Sequence, residues 1–401
     1  MIKNNWQTKK LGEVCKYNKG KKPKKLVSEK QDNIAIPYIN IKAFEKGIFD
    51  EYTDGEKCNL CEDGDLLMVW DGARAGFSGK AKKGAVGSTL MKIEPLEEIV
   101  EKNFIYYFLQ SIYKKLNTNP RGVGIPHVEP TLLWEAELIV PPLETQHAIV
   151  TKIEELFSEL DKGITELKTA QQQLKTYRQS VLKSAFEGKL TNENVKDGEL
   201  PEGWKSKSLK GLVLKVEKVK RKEVDENEEL IYLDIGGINN DSNRIENYKK
   251  FFWKDAPSRA QQIVKQNDIL FSTVRTYMKN IAIVDKEIYN NQIASSGFTV
   301  LRADTSVDYK YIYYNTISDV FLNPLNELQT GTSYPAVRDS DVLSQTINLP
   351  SSSEEQHLIV QEIESRLSVA DKMEQSIQES LQKAEALRQS ILKKAFSGEL
   401  V

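Results

Sequence analysis

The chain has few of the features needed to cross a membrane, form disulfides or perform covalent chemistry. Its longest apolar runs, such as Leu66-Leu67-Met68-Val69-Trp70, are far too short to span a bilayer. The opening Met1-Ile2-Lys3-Asn4-Asn5 holds no apolar stretch of the signal-peptide type. A cytoplasmic protein without membrane contact is therefore expected. Only three cysteines occur, Cys15, Cys58 and Cys61, an odd and sparse set that gives no disulfide framework. Cys58 and Cys61 make half of a zinc site that Cys15 and His127 would have to complete. The second cysteine pair that usually announces such a site is missing, so reduced, partly buried thiols and no bound metal are the expectation.

Signs of catalysis are equally scarce. Residues 74–81 follow phosphate-loop spacing only superficially: Arg74 stands where the first glycine is needed and Ala81 where the Mg²⁺-binding hydroxyl belongs. There is no Asn-Pro-Pro-aromatic motif of adenine methylation, no Gly-rich cofactor loop after a strand, and no nuclease-like acidic cluster. His147 and His357 lack a paired nucleophile and carboxylate, and read as capping or interface residues. No catalytic residue and no cofactor site is expected in this chain. Charge of one sign is also missing overall, with 56 Lys and Arg against 58 Asp and Glu, which argues against indiscriminate coating of nucleic acid.

The balance hides two local crowds. Lys9, Lys10, Lys16, Lys19, Lys21, Lys22, Lys24 and Lys25 gather near the start, and Lys205, Lys207, Lys210, Lys215, Lys218, Lys220, Arg221 and Lys222 near mid-chain. A lone lysine crowd is usually a solvated face. Recurrence at equivalent places of a repeat favours phosphate binding.

That repeat organises the 401 residues, a length sufficient for two or three domains. Residues 144–190 realign onto 354–400 without a gap. Glu144, Gln146, His147, Ile149 and Val150 return as Glu354, Gln356, His357, Ile359 and Val360; Arg178-Gln179-Ser180-Val181-Leu182-Lys183 returns as Arg388-Gln389-Ser390-Ile391-Leu392-Lys393. Upstream, Trp6 and Leu11 answer to Trp204 and Leu209. Gly64-Asp65-Leu66-Leu67 answers to Asn267-Asp268-Ile269-Leu270, Tyr106 and Tyr107 to Tyr313 and Tyr314, and Gly122, Pro126 and Val128 to Gly331, Pro335 and Val337. The paired tyrosines are expected in domain cores, and the tryptophans as anchors of each domain's first segment.

Both aligned segments read as long helices of about 40 residues and roughly 60 Å. In the first, Ile153, Leu160, Leu167, Leu174 and Val181 recur every seven residues, with Ile149, Leu156, Ala170 and Tyr177 at the companion position. In the second the seam is Ile363, Ala370, Ile377, Ala384 and Ile391, with Ile359, Met373 and Leu387 as companions. Pro141-Pro142 marks one start. Pro350 followed by Ser352-x-x-Glu355, a capping-box pattern, marks the other, and Gly188 and Gly398 mark the stops. Between these helices lie short β-type runs at 36–41, 66–70, 230–235 and 269–273, broken by Gly and Asn.

The expected fold class is α+β: two mixed α/β target-recognition domains separated by two long antiparallel coiled-coil helices, a pseudo-two-fold internal repeat. The first domain covers 1–140, the central spacer helix 141–190, the linker and second domain 191–350, and the C-terminal spacer helix 351–401. If the helices pair, connectivity makes them antiparallel and places one domain at each end. Such a frame suits two half-sites on double-stranded DNA, which repeats every ~34 Å.

With its Gln-His-x-Ile-Val helix starts and Arg-Gln-Ser-[VI]-Leu-Lys-x-Ala-Phe-x-Gly-x-Leu helix ends, the chain resembles the specificity (S) subunit of type I restriction–modification systems over essentially its whole length. The resemblance implies a split, asymmetric DNA target and assembly with two adenine-methyltransferase (M) subunits. A larger complex adds ATP-dependent restriction (R) subunits. It also implies that S-adenosylmethionine, ATP and Mg²⁺ belong to those partners, and that the helices 146–190 and 356–400 help dock the M subunits.

Two loops in each domain are the candidate DNA contacts. After a strand, residues 71–80 offer Arg74 and Lys80, with Lys82 just beyond. The corresponding 272–279 offers Arg275, Tyr277 and Lys279. Arginine pairs bidentately with guanine, and lysine holds phosphate. The second pair is 119–124, with Arg121, and 329–334, with Gln329, Thr332 and Tyr334. The alternative reading is a surface turn whose arginine makes a local salt bridge for the first pair of loops, and a plain connector for the second. For the whole chain it is a coiled-coil scaffold or adaptor whose duplicated domains bind protein rather than DNA.

Overall fold

The computed structural model describes residues 6–122, 124–192, 194–196 and 198–401. The opening residues 1–5, Val123 of the 119–124 loop, and Glu193 and Asp197 of the linker lie outside the described residues. The chain forms two compact units, Met1–Lys168 with Gln378–Val401, and Thr169–Ile377. Each thus combines one sheet-bearing domain with segments of both long helices.

In the first unit, strand Gln7–Lys10 pairs antiparallel with Glu137–Val140, tying the two ends of the domain together. One four-stranded antiparallel sheet runs in the order Cys15–Lys19, Leu90–Pro95, Leu66–Val69, Ser78–Lys80. A second runs Tyr52–Thr53, Ile36–Ile39, Gly84–Val86, Leu60–Cys61, with one parallel pair, Ile36–Ile39 beside Gly84–Val86. Strand Leu66–Val69 reads as an unbroken apolar run because both its faces are covered. Leu66 and Met68 enter the core under helix Lys102–Thr118, while Leu67 and Val69 enter a smaller core with Ile39, Val86 and Leu90.

The second unit repeats this wiring. Lys205–Ser208 pairs with Thr346–Leu349, and the two four-stranded sheets keep the same order and the same single parallel pair, here Glu229–Leu233 with Ile293–Ser295. Strand Ile269–Ser272 splits its side chains likewise, Ile269 and Phe271 to one core and Leu270 to the other. The expected β-type runs are strands, three of them shorter at the C-terminal end, Ile36–Ile39, Leu66–Val69 and Ile269–Ser272, and the fourth displaced to Glu229–Leu233. One departure from the repeat lies against the sheet that contains Ile269–Ser272. The single helix Lys102–Thr118 of the first unit is replaced by two, Tyr309–Thr316 and Asp319–Glu327.

The long helices run Leu143–Phe186 and Ser353–Ser397, 44 and 45 residues. In the first unit the beginning of the first helix packs on the end of the second: Ile149, Ile153 and Phe157 share a core with Ile391, Leu392 and Ala395. In the second unit Leu182, Ala185 and Phe186 share one with Ile359, Val360 and Ile363. This is the antiparallel pairing that connectivity demands. Of the seam positions, Ile153, Leu174, Val181, Ile363, Ala370, Ile377, Ala384 and Ile391 are buried, and Leu160 and Leu167 half-buried. The companion positions do not all follow: Tyr177, Met373 and Leu387 are 42%, 53% and 51% exposed. The seam is one residue wide there because arginine flanks it. Arg178 binds Asp371 at 2.6 Å and Glu374 at 2.9 Å within the second unit. Its repeat-mate Arg388 binds Asp161 and lies over the Phe157 ring within the first.

Both helices stop on left-handed glycines, Gly188 at φ 76° and Gly398 at φ 82°. At Gly188 a Cβ would collide with the Pro201 ring, so only glycine fits. Trp204 is buried, and its ring nitrogen donates to Glu355 Oε1 at 2.9 Å; Trp6 packs on Gly398. Ser352 Oγ accepts from the Glu355 N–H as the capping box requires, but the Glu355 carboxylate serves Trp204 instead of closing the box. Tyr107 is buried on Phe157, and Tyr106, Tyr313 and Tyr314 are half-buried. His147 is exposed, and His357 Nδ1 stands 3.6 Å from Asp308.

The repeated glutamine has a definite task. Gln146, fully buried, accepts from the Glu101 N–H at 2.8 Å and donates to the carbonyls of Ile99 at 2.9 Å and Pro141 at 2.8 Å. Gln356 repeats this with the Asp308 N–H and the Ser306 and Pro350 carbonyls. Each side chain staples a long-helix start to the entry of the domain helix. Gln146→Leu would leave these buried groups unpaired, at about 1–3 kcal/mol each. The expected result is a first unit destabilised by about 3 kcal/mol or more, seen as a lower urea midpoint; an unchanged midpoint would show that the staple carries no stability.

Candidate nucleic-acid interface

Each domain brings its two candidate loops together by the same short ladder. In the first, the Gly72 N–H donates to the Pro126 carbonyl at 2.8 Å and the Val128 N–H to the Trp70 carbonyl at 2.9 Å, while Arg121 and His127 exchange both backbone bonds at 2.9 Å. In the second, Arg275 N–H donates to Pro335 at 2.8 Å, Val337 N–H to Thr273 at 3.0 Å, and Thr330 and Ala336 exchange bonds at 3.0 and 2.9 Å. The loops that pair in the sequence repeat are therefore neighbours in each fold, at the same edge.

This ladder also fixes their register, the one that the match of residues 64–67 with 267–270 implies. Gly72 answers to Arg275 and Gly76 to Lys279, all four at positive φ (118°, 49°, 91° and 54°). Arg74 therefore answers to Tyr277, two positions from Arg275. A left-handed backbone is cheap for glycine and costs an L-residue about 1–2 kcal/mol, so the second loop carries strain that the first avoids. At Gly76 a Cβ would lie 2.8 Å from Leu116 Cβ.

The side chains differ as much as the frame agrees. Arg74 is held on the protein: it pairs with Glu45 at 3.0 Å and lies 3.9 Å over the Phe77 ring. Arg275 donates to the Ser333 carbonyl at 2.9 Å and stacks 5.0 Å over Tyr334; among the described residues no carboxylate pairs with it. Tyr334 and Tyr277 are 73% and 54% exposed beside it. Thr332 is exposed on the same loop. Lys279 turns inward, its ammonium 2.7 Å from Asp319 and 3.3 Å from the Ile317 carbonyl. Gln329 donates to Thr276 Oγ1 at 2.8 Å and Asn326 Oδ1 at 3.1 Å, bracing the two loops. Arg121 is exposed beside His127. Lys80 and Lys82 do not join this group. Lys80 pairs with Leu66 at the hairpin end away from the Gly72–Gly76 turn, its ammonium over Tyr106, and Lys82 follows it.

Sequence reading misses several residues of this edge. Asp71 binds His127 Nδ1 at 2.6 Å and Lys19 at 3.0 Å, where the second domain has Val274 beside Ala336. Asn117 donates to the carbonyls of Ala73 and Ala75, both at 3.1 Å, and Asn326 accepts from Thr276 Oγ1 at 2.6 Å. A signal exists for the pair: each asparagine stands the same distance before the glycine of its second loop, Gly122 or Gly331. The cysteines serve packing. Burial pushes Cys15 up to about 12 and Cys61 up to about 11, so both stay thiols at neutral pH. Among the described residues no group of three or more His, Cys, Asp or Glu could hold a metal ion, and no helix is long and apolar enough to cross a membrane.

The chain is a duplicated α+β frame with two equivalent loop edges and paired long helices. Residues 3–169 and 201–383 match the family described as the type I restriction modification DNA specificity domain, and the chain belongs to that family of specificity subunits. It is similar to the type I restriction enzyme MjaVIII specificity subunit of Methanocaldococcus jannaschii, 24% identical across 95% of this chain and 91% of that protein. The EcoBI specificity subunit of Escherichia coli is 27% identical across 91% and 80%. In fold it resembles a structure solved for complex assembly and conformational transition of the type I R-M system, at a TM-score of 0.74, 18% identity, and coverage of 100% and 99% of the two chains. The HsdS subunit from Thermoanaerobacter tengcongensis gives a TM-score of 0.56 at 19% identity, covering 99% and 97%. Specificity subunits of this family are non-catalytic and carry no cofactor; catalysis lies in the M and R subunits, which bind S-adenosylmethionine and ATP. The adaptor alternative is set aside by this membership.

Asn117→Ala removes both bonds that hold Ala73 and Ala75, each worth about 1 kcal/mol. Amide hydrogen exchange at 72–77 is expected to quicken roughly tenfold with the rest of the unit unchanged. Equal exchange in the variant would mean that the loop is held by its backbone alone.

Proposed function

We propose that the chain directs a type I methyltransferase to a split, asymmetric sequence in double-stranded DNA, each domain reading one half. The observation that carries this reading is the loop edge: one hydrogen-bond ladder, made twice, displays two different sets of side chains. A shared frame with divergent loops is what two unlike half-sites require. The proposed division is a first target-recognition domain over 1–140, a central spacer helix over 141–190, the linker and second domain over 191–350, and a C-terminal spacer helix over 351–401.

On the second edge Arg275, Tyr277, Thr332 and Tyr334 face DNA, braced by Gln329 and Lys279. On the first, Arg121 and the Arg74 loop do so, with Lys80 and Lys82 serving phosphate farther along the backbone. The paired helices set the distance between half-sites and dock two M subunits, to which R subunits add in the restricting complex. The exposed Tyr177, Met373 and Leu387 favour docking there, since apolar side chains on a long polar helix are commonly covered in an assembly.

Mapping of N6-methyladenine in cells that express the chain with its M subunit should reveal a two-part motif absent without the chain. No motif from an assembled, active complex would reject the reading. Four residues inserted in each long helix lengthen it by about 6 Å. The expected outcome is a gap between half-sites changed by about two base pairs with both half-sites intact; an unaltered gap would remove the ruler role.

A further inference from the structure

The second unit contains a connection that the first lacks. Its domain helix is interrupted between Thr316 and Asp319, where Ser318, buried, caps the next helix by accepting from the Phe321 N–H. Such a break frees a carbonyl at the end of one helix and an N–H at the start of the next. Two side chains from different parts of the unit converge on these groups. Gln179, on the first long helix, donates to the Ile317 carbonyl at 3.5 Å and accepts from the Asp319 N–H at 2.8 Å. Lys279, the last residue of the candidate recognition loop, donates to the same carbonyl at 3.3 Å and to Asp319 Oδ1 at 2.7 Å.

We propose that Gln179 is a positioning residue for the second recognition loop, acting from the long helix through the Ile317–Asp319 break and Lys279. This rests on the reading of residues 272–279 as a DNA-facing loop. Lys279 adopts a left-handed backbone where the first domain has Gly76. Strain of this kind persists where surrounding contacts hold it, and the break supplies them. The three residues before Lys279 form a single tight turn, Thr276–Met278, which Arg275 enters also left-handed. A shift of the break therefore moves the Arg275–Tyr277 segment with it, since the turn has no slack on either side. In the first unit helix Lys102–Thr118 is continuous and offers no free backbone groups at this place, and the helix holds the loop directly, by the Asn117 hydrogen bonds and by Leu116 and Tyr113 packed on Gly76 and Phe77. One half-site is thereby linked to the long helix by a side-chain relay and the other is not.

The test uses the full chain assembled with its M subunits and reads the methylated motif together with amide exchange. Gln179→Leu and Lys279→Met should each admit mismatches in the half-site of the second domain, with the first half-site kept, and quicken exchange at 275–279 about tenfold. Asn117→Ala should do the reverse, relaxing only the first half. The double variant of Gln179 and Lys279 should be no worse than Lys279→Met, because both act on one connection. Additive losses, or a uniform fall in methylation at matched and mismatched sites alike, would overturn the proposal. If Gln179→Leu does not assemble, Gln179→Glu, which keeps the acceptor for the Asp319 N–H, takes its place with the same expected exchange at 275–279. Should Arg275→Ala leave the motif untouched, the DNA-facing reading fails; exchange at 275–279 in the Gln179 variant then still decides whether the relay exists.

Discussion

Neither sheet-bearing domain closes its own core. In the first unit the surface over Phe104 and Phe108 is completed by Phe396 and by Ile391, Leu392 and Ala395, which come from the far end of the sequence. In the second it is completed by Leu182, Ala185 and Phe186, the last turns of a helix that begins in the other unit. Burying three or four such side chains is worth several kcal/mol, comparable to the whole net stability of a domain. Helix pairing is thus inseparable from domain folding. The glutamine staples at Gln146 and Gln356 and the reciprocal arginines at 178 and 388 fix the rotation and register that this burial leaves open. Hydrophobic contact alone tolerates sliding; a planar guanidinium between carboxylates does not.

Because the frame is overdetermined in this way, the loops are free to vary. The ladder that joins them uses backbone groups only, so it survives any side chain that can adopt the required φ. Glycine meets that demand without strain at 72 and 76. Arginine and lysine meet it at 275 and 279 with strain, and each then spends its side chain differently, Arg275 on the exposed Ser333–Tyr334 edge and Lys279 on the interior break. The same scaffold thereby presents a carboxylate-paired arginine in one domain and an unpaired one in the other.

This explains what sequence reading can and cannot reach. The duplication, the two long helices, their glycine stops and the pairing of the loops are all legible, since each rests on spacing that survives divergence. That each loop carries an arginine is legible too, but not that the two stand two positions apart in the shared frame, because the left-handed glycine that marks the register at 72 is itself replaced by arginine at 275. Lys80 and Lys82 look like loop cations because sequence distance does not show that a hairpin carries them back to its base. Tyr177, Met373 and Leu387 fit a heptad but face outward, for period alone does not tell a two-residue seam from a single file flanked by arginine. Asp71, Glu45 and Asn117 act through partners far away in sequence, and no local pattern marks such pairs.

The near balance of charge acquires a physical sense from this arrangement. Many of the lysines and arginines are tied to carboxylates, as in Lys19–Asp71, Arg74–Glu45, Lys92–Asp65 and Lys249–Asp234, so much of the cationic charge is neutralised locally. Attraction to phosphate is indifferent to sequence and raises matched and unmatched binding together. A recognition subunit gains discrimination by keeping that common contribution small and concentrating unneutralised donors where bases are read. Arg275, with no carboxylate partner among the described residues and its guanidinium oriented by Ser333 and Tyr334, has the properties such a donor would need. On the proposed reading, the nonspecific part of the affinity would fall largely to the partner subunits.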